Sequence, residues 1–414
     1  MLRCGLLGET LEHSYSPAIH ARLGEYAYER FDCPREKLAR FLQSGAFDGL
    51  NVTIPYKKAV IPYCAALSDA ARAVGSVNTI VRCADGTLYG DNTDVFGFRY
   101  MLRRNGVSVC GAKALVLGSG GAAAAVCAVL RDEGARVWEI SRTGEDNYDN
   151  FHRHADAQVI VNATPVGMYP NNGASPVDLR GFPHLSLVLD VIYNPARTVL
   201  LMQAEELGVP HRGGLSMLVA QAKRSSEIFT GASICDARID AIEAELSREM
   251  ENIVLIGMPG SGKSTLARQL GWALGREVLD ADRCVEHAVG MPIPAFFARY
   301  GEEAFRRQET AVLCELGKRS GAVIATGGGC VTRAENYALL HQNGTILWLR
   351  RALDALSVEG RPLSQRGSLE EMYVARAPLY ARFADAAVDN DGTVDQTLRR
   401  ALDVLGLRGA HEND

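Results

Sequence analysis

Gly257-Met258-Pro259-Gly260-Ser261-Gly262-Lys263-Ser264 follows the apolar run Ile253-Val254-Leu255-Ile256 directly and opens a stretch with Leu266, Leu270 and Leu274 at helical spacing. The pattern predicts a buried strand, a glycine turn and a helix. In that order, backbone N–H groups of the turn close around phosphate oxygens and the helix N-terminus adds its positive dipole end. Lys263 offers a cation to the β/γ-phosphates and Ser264 a hydroxyl to Mg²⁺. Gly260, Ser261, Gly262, Lys263, Ser264 and Thr265 are therefore the expected contacts of a nucleoside triphosphate. An ordinary glycine turn competes weakly, because it needs neither the strand before nor the helix after. About 250 residues precede the loop, which points to a second unit on its N-terminal side.

The chain has 414 residues, 47% of them hydrophobic and 22% charged, so it can bury large cores and divide into two or three domains. A net charge of −5, with no basic run carrying interleaved aromatics, argues against nucleic acid and for small-molecule ligands. The ten cysteines are scattered without a C-x-x-C pair, and no His cluster has metal-ligand spacing. Buried reduced thiols are the expectation. The first nine residues lack the apolar segment of a signal peptide, and Ala122 to Leu130 is too short to span a bilayer, so no membrane and a cytoplasmic location are expected.

Ile239, Ile242 and Leu246 share one face of a predicted helix from about Asp236 to Glu249. No Gly/Ser or Pro linker follows, and the domain boundary is placed near Met250. The first half carries a second glycine loop. The apolar run Lys113 to Leu117 precedes Gly118-Ser119-Gly120-Gly121-Ala122-Ala123, a G-x-G-x-x-A turn of the dinucleotide-binding kind whose contacts would be Gly118, Gly120, Gly121 and Ala122. The next predicted strand, Arg136 to Ile140, ends at Ser141-Arg142-Thr143. A cation there suits a 2′-phosphate, hence NADP(H). Strand alternation should turn Glu139 away from Arg142.

Further motifs converge on a family. His13-Ser14-Tyr15-Ser16-Pro17, Asn51-Val52-Thr53-Ile54-Pro55-Tyr56-Lys57, Val77-Asn78-Thr79, Asp91-Asn92-Thr93-Asp94, Asn162-Ala163-Thr164-Pro165 and Leu215 to Gln221 occur in an order that resembles shikimate dehydrogenases, over about 1–248. The resemblance implies an α/β substrate domain (about 1–95 and 215–249) and a Rossmann-like NADP domain (about 96–214). Ketone reduction builds negative charge on oxygen, which calls for a proton donor; Lys57 is that candidate and Asp94 its partner. By resemblance Ser14, Ser16, Thr53 and Tyr193 bind the substrate carboxylate, while Asn78, Asp94 and Gln221 hold ring hydroxyls. Asp146 departs from the family, whose NADP-preferring members often carry a second basic residue there. The stretch from Asn147 to Asp156 is short for the usual crossover helix.

Downstream of the phosphate loop, Leu279-Asp280-Ala281-Asp282, Gly301 to Arg306, Gly327-Gly328-Gly329, Arg361-Pro362-Leu363 and Arg376-Ala377-Pro378-Leu379-Tyr380 resemble shikimate kinases, over about 252–405. The resemblance implies a P-loop kinase domain (250–414) with a parallel sheet and a lid. Asp280 with Ser264 would hold Mg²⁺, and Asp282 would bind the substrate hydroxyls and take a proton. Arg306 and Arg376 offer forks to a carboxylate, and Gly328 and Gly329 admit a close backbone approach. Arg361 on the lid would stabilise the charge of the transferring phosphoryl group. Phe297 and Phe305 would wall the pocket or simply pack. The segment between Arg350 and Arg361 is short, and neither Arg350 nor Arg351 matches the arginine that stacks on adenine in the family.

The expected protein is an α/β bifunctional enzyme using NADP(H), ATP and Mg²⁺ to convert 3-dehydroshikimate to shikimate and then to shikimate 3-phosphate. A homo-oligomer is left open. The rivals are quinate as first substrate, a single active half, and a regulator built from a degenerate enzyme.

Overall fold

Lys113–Leu117 and Asn252–Ile256, the two apolar runs before the glycine loops, each lie between two parallel neighbours in a five-stranded sheet. Strands hydrogen-bonded on both sides and covered on both faces read as near-continuous apolar runs, here polar only at their first residues, Lys113 and Asn252. All residues of both runs are buried accordingly. The computed structural model describes residues 1–11, 14–356 and 369–407. The chain forms two units, Met1–Leu246 and Ser247–Asp414.

The first unit contains two sheets. One has six strands in the order Ala27–Asp32, Arg3–Gly8, Gly49–Val52, Thr79–Arg82, Leu88–Asp91 and Ala66–Leu67, with Thr79–Arg82 antiparallel to both of its neighbours. The other is wholly parallel, in the order His211–Arg212, Leu187–Asp190, Val159–Asn162, Lys113–Leu117 and Arg136–Ile140. Helices Asp94–Arg103 and Gly121–Asp132 cover one of its faces around Phe98, Met101, Val126 and Leu130. The crossover after Arg136–Ile140 is reduced to a single 3-10 turn, Phe151–His154, as the short spacing predicts. Helix Leu215–Thr230 returns the chain to the first sheet, through Phe229 against Cys4 and Tyr26. The connecting helix spans Ala237–Met250, one residue later than expected at each end, with Ile239, Ile242 and Leu246 buried.

The second unit is one parallel sheet in the order Val278–Asp280, Val323–Ala325, Asn252–Ile256, Gly344–Arg350 and Ala386–Asp389. The glycine loop leaves the carboxyl end of its central strand and enters helix Lys263–Leu274, where ligand sites of open α/β sheets lie. The long helix Ile293–Gly317 is broken at Gly301, whose φ of 79° is open to glycine and strained for other residues.

Candidate active sites

In the first unit, the turn after strand Gly49–Val52 carries Thr53 and Lys57, and helix Asp94–Arg103 starts on Asp94. Lys57 Nζ donates to Asp94 Oδ2 at 2.6 Å, and the carboxylate is almost wholly buried while the lysine keeps about a quarter of its side chain exposed. A cation held by a buried acid beside solvent can give a proton to a bound oxygen and recover one from water. Lys57 lines a cavity of about 220 Å³ together with Ser14, Ser16, Thr53, Asn78, Tyr193 and Gln221, smaller than the ~300 Å³ and above of drug-sized sites. Every substrate-contact residue expected from the sequence for this half thus faces the cavity or, for Asp94, pairs with a residue that does. His13 lies outside the described residues.

The lining residues are held by a hydrogen-bond network that the sequence reading missed. Ser225 Oγ, fully buried, lies within hydrogen-bond distance of Asn51 Nδ2 (2.7 Å), Thr79 Oγ1 (2.9 Å) and Thr93 Oγ1 (3.1 Å), and donates to Gln221 O. Asn78 Oδ1 accepts from Thr93 N at 2.7 Å, and Asn78 Nδ2 donates to Gln221 Oε1 at 3.3 Å. Asn51 also accepts from the Tyr28 hydroxyl at 2.8 Å. His20 lines the cavity too, stacked on Tyr28 with ring centroids 3.9 Å apart and Nδ1 2.5 Å from the Tyr26 hydroxyl. Burial pushes its pKa down to about 3, against a small upward pull from Asn51, so the imidazole is neutral. The available signal was the i, i+4 spacing of Ser16 and His20, which puts both on one face of helix Ser16–His20.

The second glycine loop lies against this site. A Cβ on Gly121 would stand 3.7 Å from Lys57 Cδ, whereas one on Gly120 would meet nothing within 4 Å. That open space, at the start of a helix whose first N–H groups are free, fits a pyrophosphate. Ala122 follows in the first turn of the helix. Ser141, Arg142 and Thr143 follow strand Arg136–Ile140. Arg142 is exposed and makes no hydrogen bond or ion pair among the described residues, which suits an anionic ligand. Glu139 lies two residues beyond Val137, whose side chain packs on the core that holds Cys127, whereas burial raises the Tyr148 phenol and Arg142 opposes that rise. Cys127 and Tyr148 belong to the cores on opposite sides of the sheet.

In the second unit the phosphate loop, Asp282, Arg306, Gly328, Gly329 and Arg376 line one cavity of about 520 Å³ together with Phe297, Phe305 and Arg351. Lys263 is buried, its Nζ donating to the carbonyls of Gly257 and Met258 at 2.9 Å each. Gly262 caps the helix with φ of 97°, and Ser261 Oγ is buried without a partner among the described residues. Ser264 Oγ donates to Asp280 Oδ2 at 2.8 Å. A hydroxyl and a carboxylate joined at the helix start offer oxygen ligands of the kind Mg²⁺ takes while keeping its waters. Phe297 and Phe305 stack on each other at 4.6 Å as well as walling the cavity. Arg350 is tied to Asp389 by two hydrogen bonds of 2.7 and 2.9 Å, so that of these two neighbours it is Arg351 that lines the cavity. Arg361 lies outside the described residues.

Glu309 is the residue the sequence reading missed here. It is 1% exposed and accepts from Arg306 Nη1 at 2.7 Å, and Glu302 accepts from Nη2 at 3.2 Å. Burial lowers the Arg306 pKa, but Glu309 and then Glu302 more than offset it, so the guanidinium remains charged. A Cβ on Gly329 would fall on that guanidinium, and one on Gly327 would meet Glu309 Oε1 at 2.5 Å and Asp282 Oδ1 at 2.7 Å. A Cβ on Gly328 would meet Pro259 at 2.7 Å, while the Gly328 carbonyl accepts from Arg376 and Tyr380. Thus the glycine triplet makes room first for the protein's own charged groups and the phosphate loop.

Comparison with known proteins covers both halves. Residues 6–80 match the family model of the shikimate dehydrogenase substrate binding domain, and residues 259–405 match that of shikimate kinase. The chain is 37% identical over 245 residues to the NADP(+) shikimate dehydrogenase of Clostridium beijerinckii, spanning 54% of this chain and 90% of the relative. It is 40% identical over 261 residues to that of Methanopyrus kandleri, 55% of this chain and 89% of the relative. Among solved structures, Thermus thermophilus shikimate 5-dehydrogenase in complex with NADP(H) and shikimate aligns with a TM-score of 0.55 at 33% identity, covering 59% of this chain and 99% of that one.

Proposed function

The chain belongs to the shikimate dehydrogenase family through its first half, and from that premise, with the kinase match of its second half, we propose that it reduces 3-dehydroshikimate to shikimate and then phosphorylates the 3-hydroxyl. The observation that carries this reading is the convergence of Lys57, held by Asp94, with Ser14, Ser16, Thr53, Asn78, Tyr193 and Gln221 on one small cavity. NADPH supplies a hydride, ATP a phosphoryl group and Mg²⁺ its charge. Everything else falls to the chain's own side chains.

Lys57 gives its proton to the oxygen that becomes a hydroxyl, and Asp94 keeps the ammonium aimed and binds the neighbouring hydroxyl. Ser14, Ser16, Thr53 and Tyr193 donate O–H groups to the carboxylate without fixing another charge. Asn78 and Gln221, braced by Ser225 and Thr93, select the ring hydroxyls. Gly118, Gly120, Gly121 and Ala122 receive the pyrophosphate, and Ser141, Arg142 and Thr143 the 2′-phosphate. In the second unit Asp282 accepts the proton of the attacking hydroxyl, and Arg306 and Arg376 hold the carboxylate with Gly328 and Gly329 beside them. Arg361 meets the transferring phosphoryl group. The domain division at about residue 249, a cytoplasmic setting and small molecules as the partners belong to the same reading; the net charge of −5 supports the last. Among the described residues no helix is long and apolar enough to cross a membrane.

One reaction tests the proposal: 3-dehydroshikimate, NADPH and MgATP with the purified chain, following nicotinamide absorbance and phosphorylated product together. Oxidation of NADPH with phosphorylation of the same carbon skeleton is expected. Turnover of one co-substrate alone would leave a single active half, and preference for the quinate series would move the first substrate.

A further inference from the structure

Asp146 is an acid four residues beyond Arg142, in a turn that closes on itself: Ser141 N donates to Asp146 O at 3.2 Å. Such a carboxylate is the natural partner for an arginine at this spacing, and pairing them would cancel the charge meant for a 2′-phosphate. The pairing is not made. Asp146 Oδ1 instead lies 2.8 Å from His154 Nε2, in a pair whose side chains are only 25% and 10% exposed. His154 comes from the 3-10 turn Phe151–His154 that replaces the crossover helix. Its ring faces Trp138 at 5.8 Å, and its Nδ1 is buried without a partner among the described residues. With Nδ1 unpaired, the hydrogen bond to Asp146 is what orients the ring. Arg142 stays exposed and unpaired.

We propose that His154 is a specificity-determining positioning residue: by holding the Asp146 carboxylate it keeps Arg142 available to the 2′-phosphate of NADPH. It acts through Asp146 and does not touch the cofactor. The inference rests on the assignment of Arg142 to that phosphate. It explains how a chain with an acid in this turn can retain a site for a doubly charged group. It also gives the shortened crossover a role, because the 3-10 turn delivers His154 to Asp146.

The test compares kcat/KM for NADPH and NADH in native enzyme, R142A, H154Q, D146N and the double variant D146N/H154Q. Native enzyme should prefer NADPH and R142A should lose most of that preference; if either fails, the assignment of Arg142 falls, independently of His154. Given that premise, H154Q should lower the NADPH-to-NADH ratio about tenfold through KM for NADPH, with NADH turnover within twofold of native. D146N/H154Q should recover the native ratio, which a merely damaged fold could not. D146N alone, with the imidazole untouched, should match or exceed it. An unchanged ratio in H154Q, no recovery in the double variant, or a fivefold fall in D146N would each overturn the proposal. Should H154Q not fold, the D146N result alone decides it.

Discussion

Lys57 and Asp94 are 37 residues apart in the chain and 2.6 Å apart in space, joining a turn after one strand to the first residue of a helix. The carboxylate is the more buried partner, so its position is set by packing and the lysine is aimed by it. That direction of control makes the two residues unequal under mutation.

Lys57→Ala removes the proton donor and leaves Asp94 buried without its cation. Dehydrogenase kcat should fall by roughly 10²-fold or more, while shikimate phosphorylation by the same preparation is retained. Lys263→Ala should abolish phosphorylation and spare reduction. The two assays run side by side check both expectations, and loss of both activities in either variant, with circular dichroism unchanged, would count against separate sites.

Glycine substitutions should separate fold from ligand. A methyl on Gly120 meets no protein atom within 4 Å, and the residue already has φ of −83°. Gly120→Ala should therefore keep stability within about 0.5 kcal/mol and raise KM for NADPH. Gly329→Ala puts its methyl on the Arg306 guanidinium, which must then leave Glu309 or Glu302. Displacing a substrate clamp by about 1 Å can cost ~10²-fold, and the loss should appear in kinase kcat/KM for shikimate, with no change in NADPH oxidation.

Acid should weaken the first unit through His20. Its pKa is pushed down to about 3 in the folded chain by burial, against about 6.5 when unfolded. The unfolded state therefore binds the proton first, and stability contributed by the neutral ring is lost as pH falls from about 6.5 toward 3. At pH 5 the loss is about 2 kcal/mol. Denaturant unfolding followed by dehydrogenase activity should show a smaller decline between pH 7 and 5 in His20→Gln than in the native chain, whatever the absolute stability of the variant. Equal declines would mean that His20 is protonated in the fold.

The hydroxyl made by the first half is the one consumed by the second, and a phosphorylated oxygen cannot be oxidised back to the ketone before it loses its phosphate. With 3-dehydroshikimate, limiting NADPH and high NADP⁺, adding MgATP should lower the NADPH remaining at the end point. Lys263→Ala should show no such drop. An unchanged end point in native enzyme with an active kinase would place the two reactions on different carbons.

Both glycine loops were legible in the sequence, because a backbone that wraps a phosphate needs its glycines, flanking strand and helix within a dozen contiguous residues. The connecting helix could be read for the same reason: Ile239, Ile242 and Leu246 record a local period. Lys57, Asp94, Asp282 and Arg306 could be named from their motifs, though nothing local says which acid holds which cation. The tertiary structure decided that Arg306 is clamped by Glu309, that Asp146 turns to His154, and that Thr93 braces Asn78 and Ser225 braces Gln221 at the cavity. Such pairings depend on which strand ends and helix faces the fold brings together. A buried polar atom must take the partner that the topology puts within about 3 Å, and chain spacing leaves no trace of that choice.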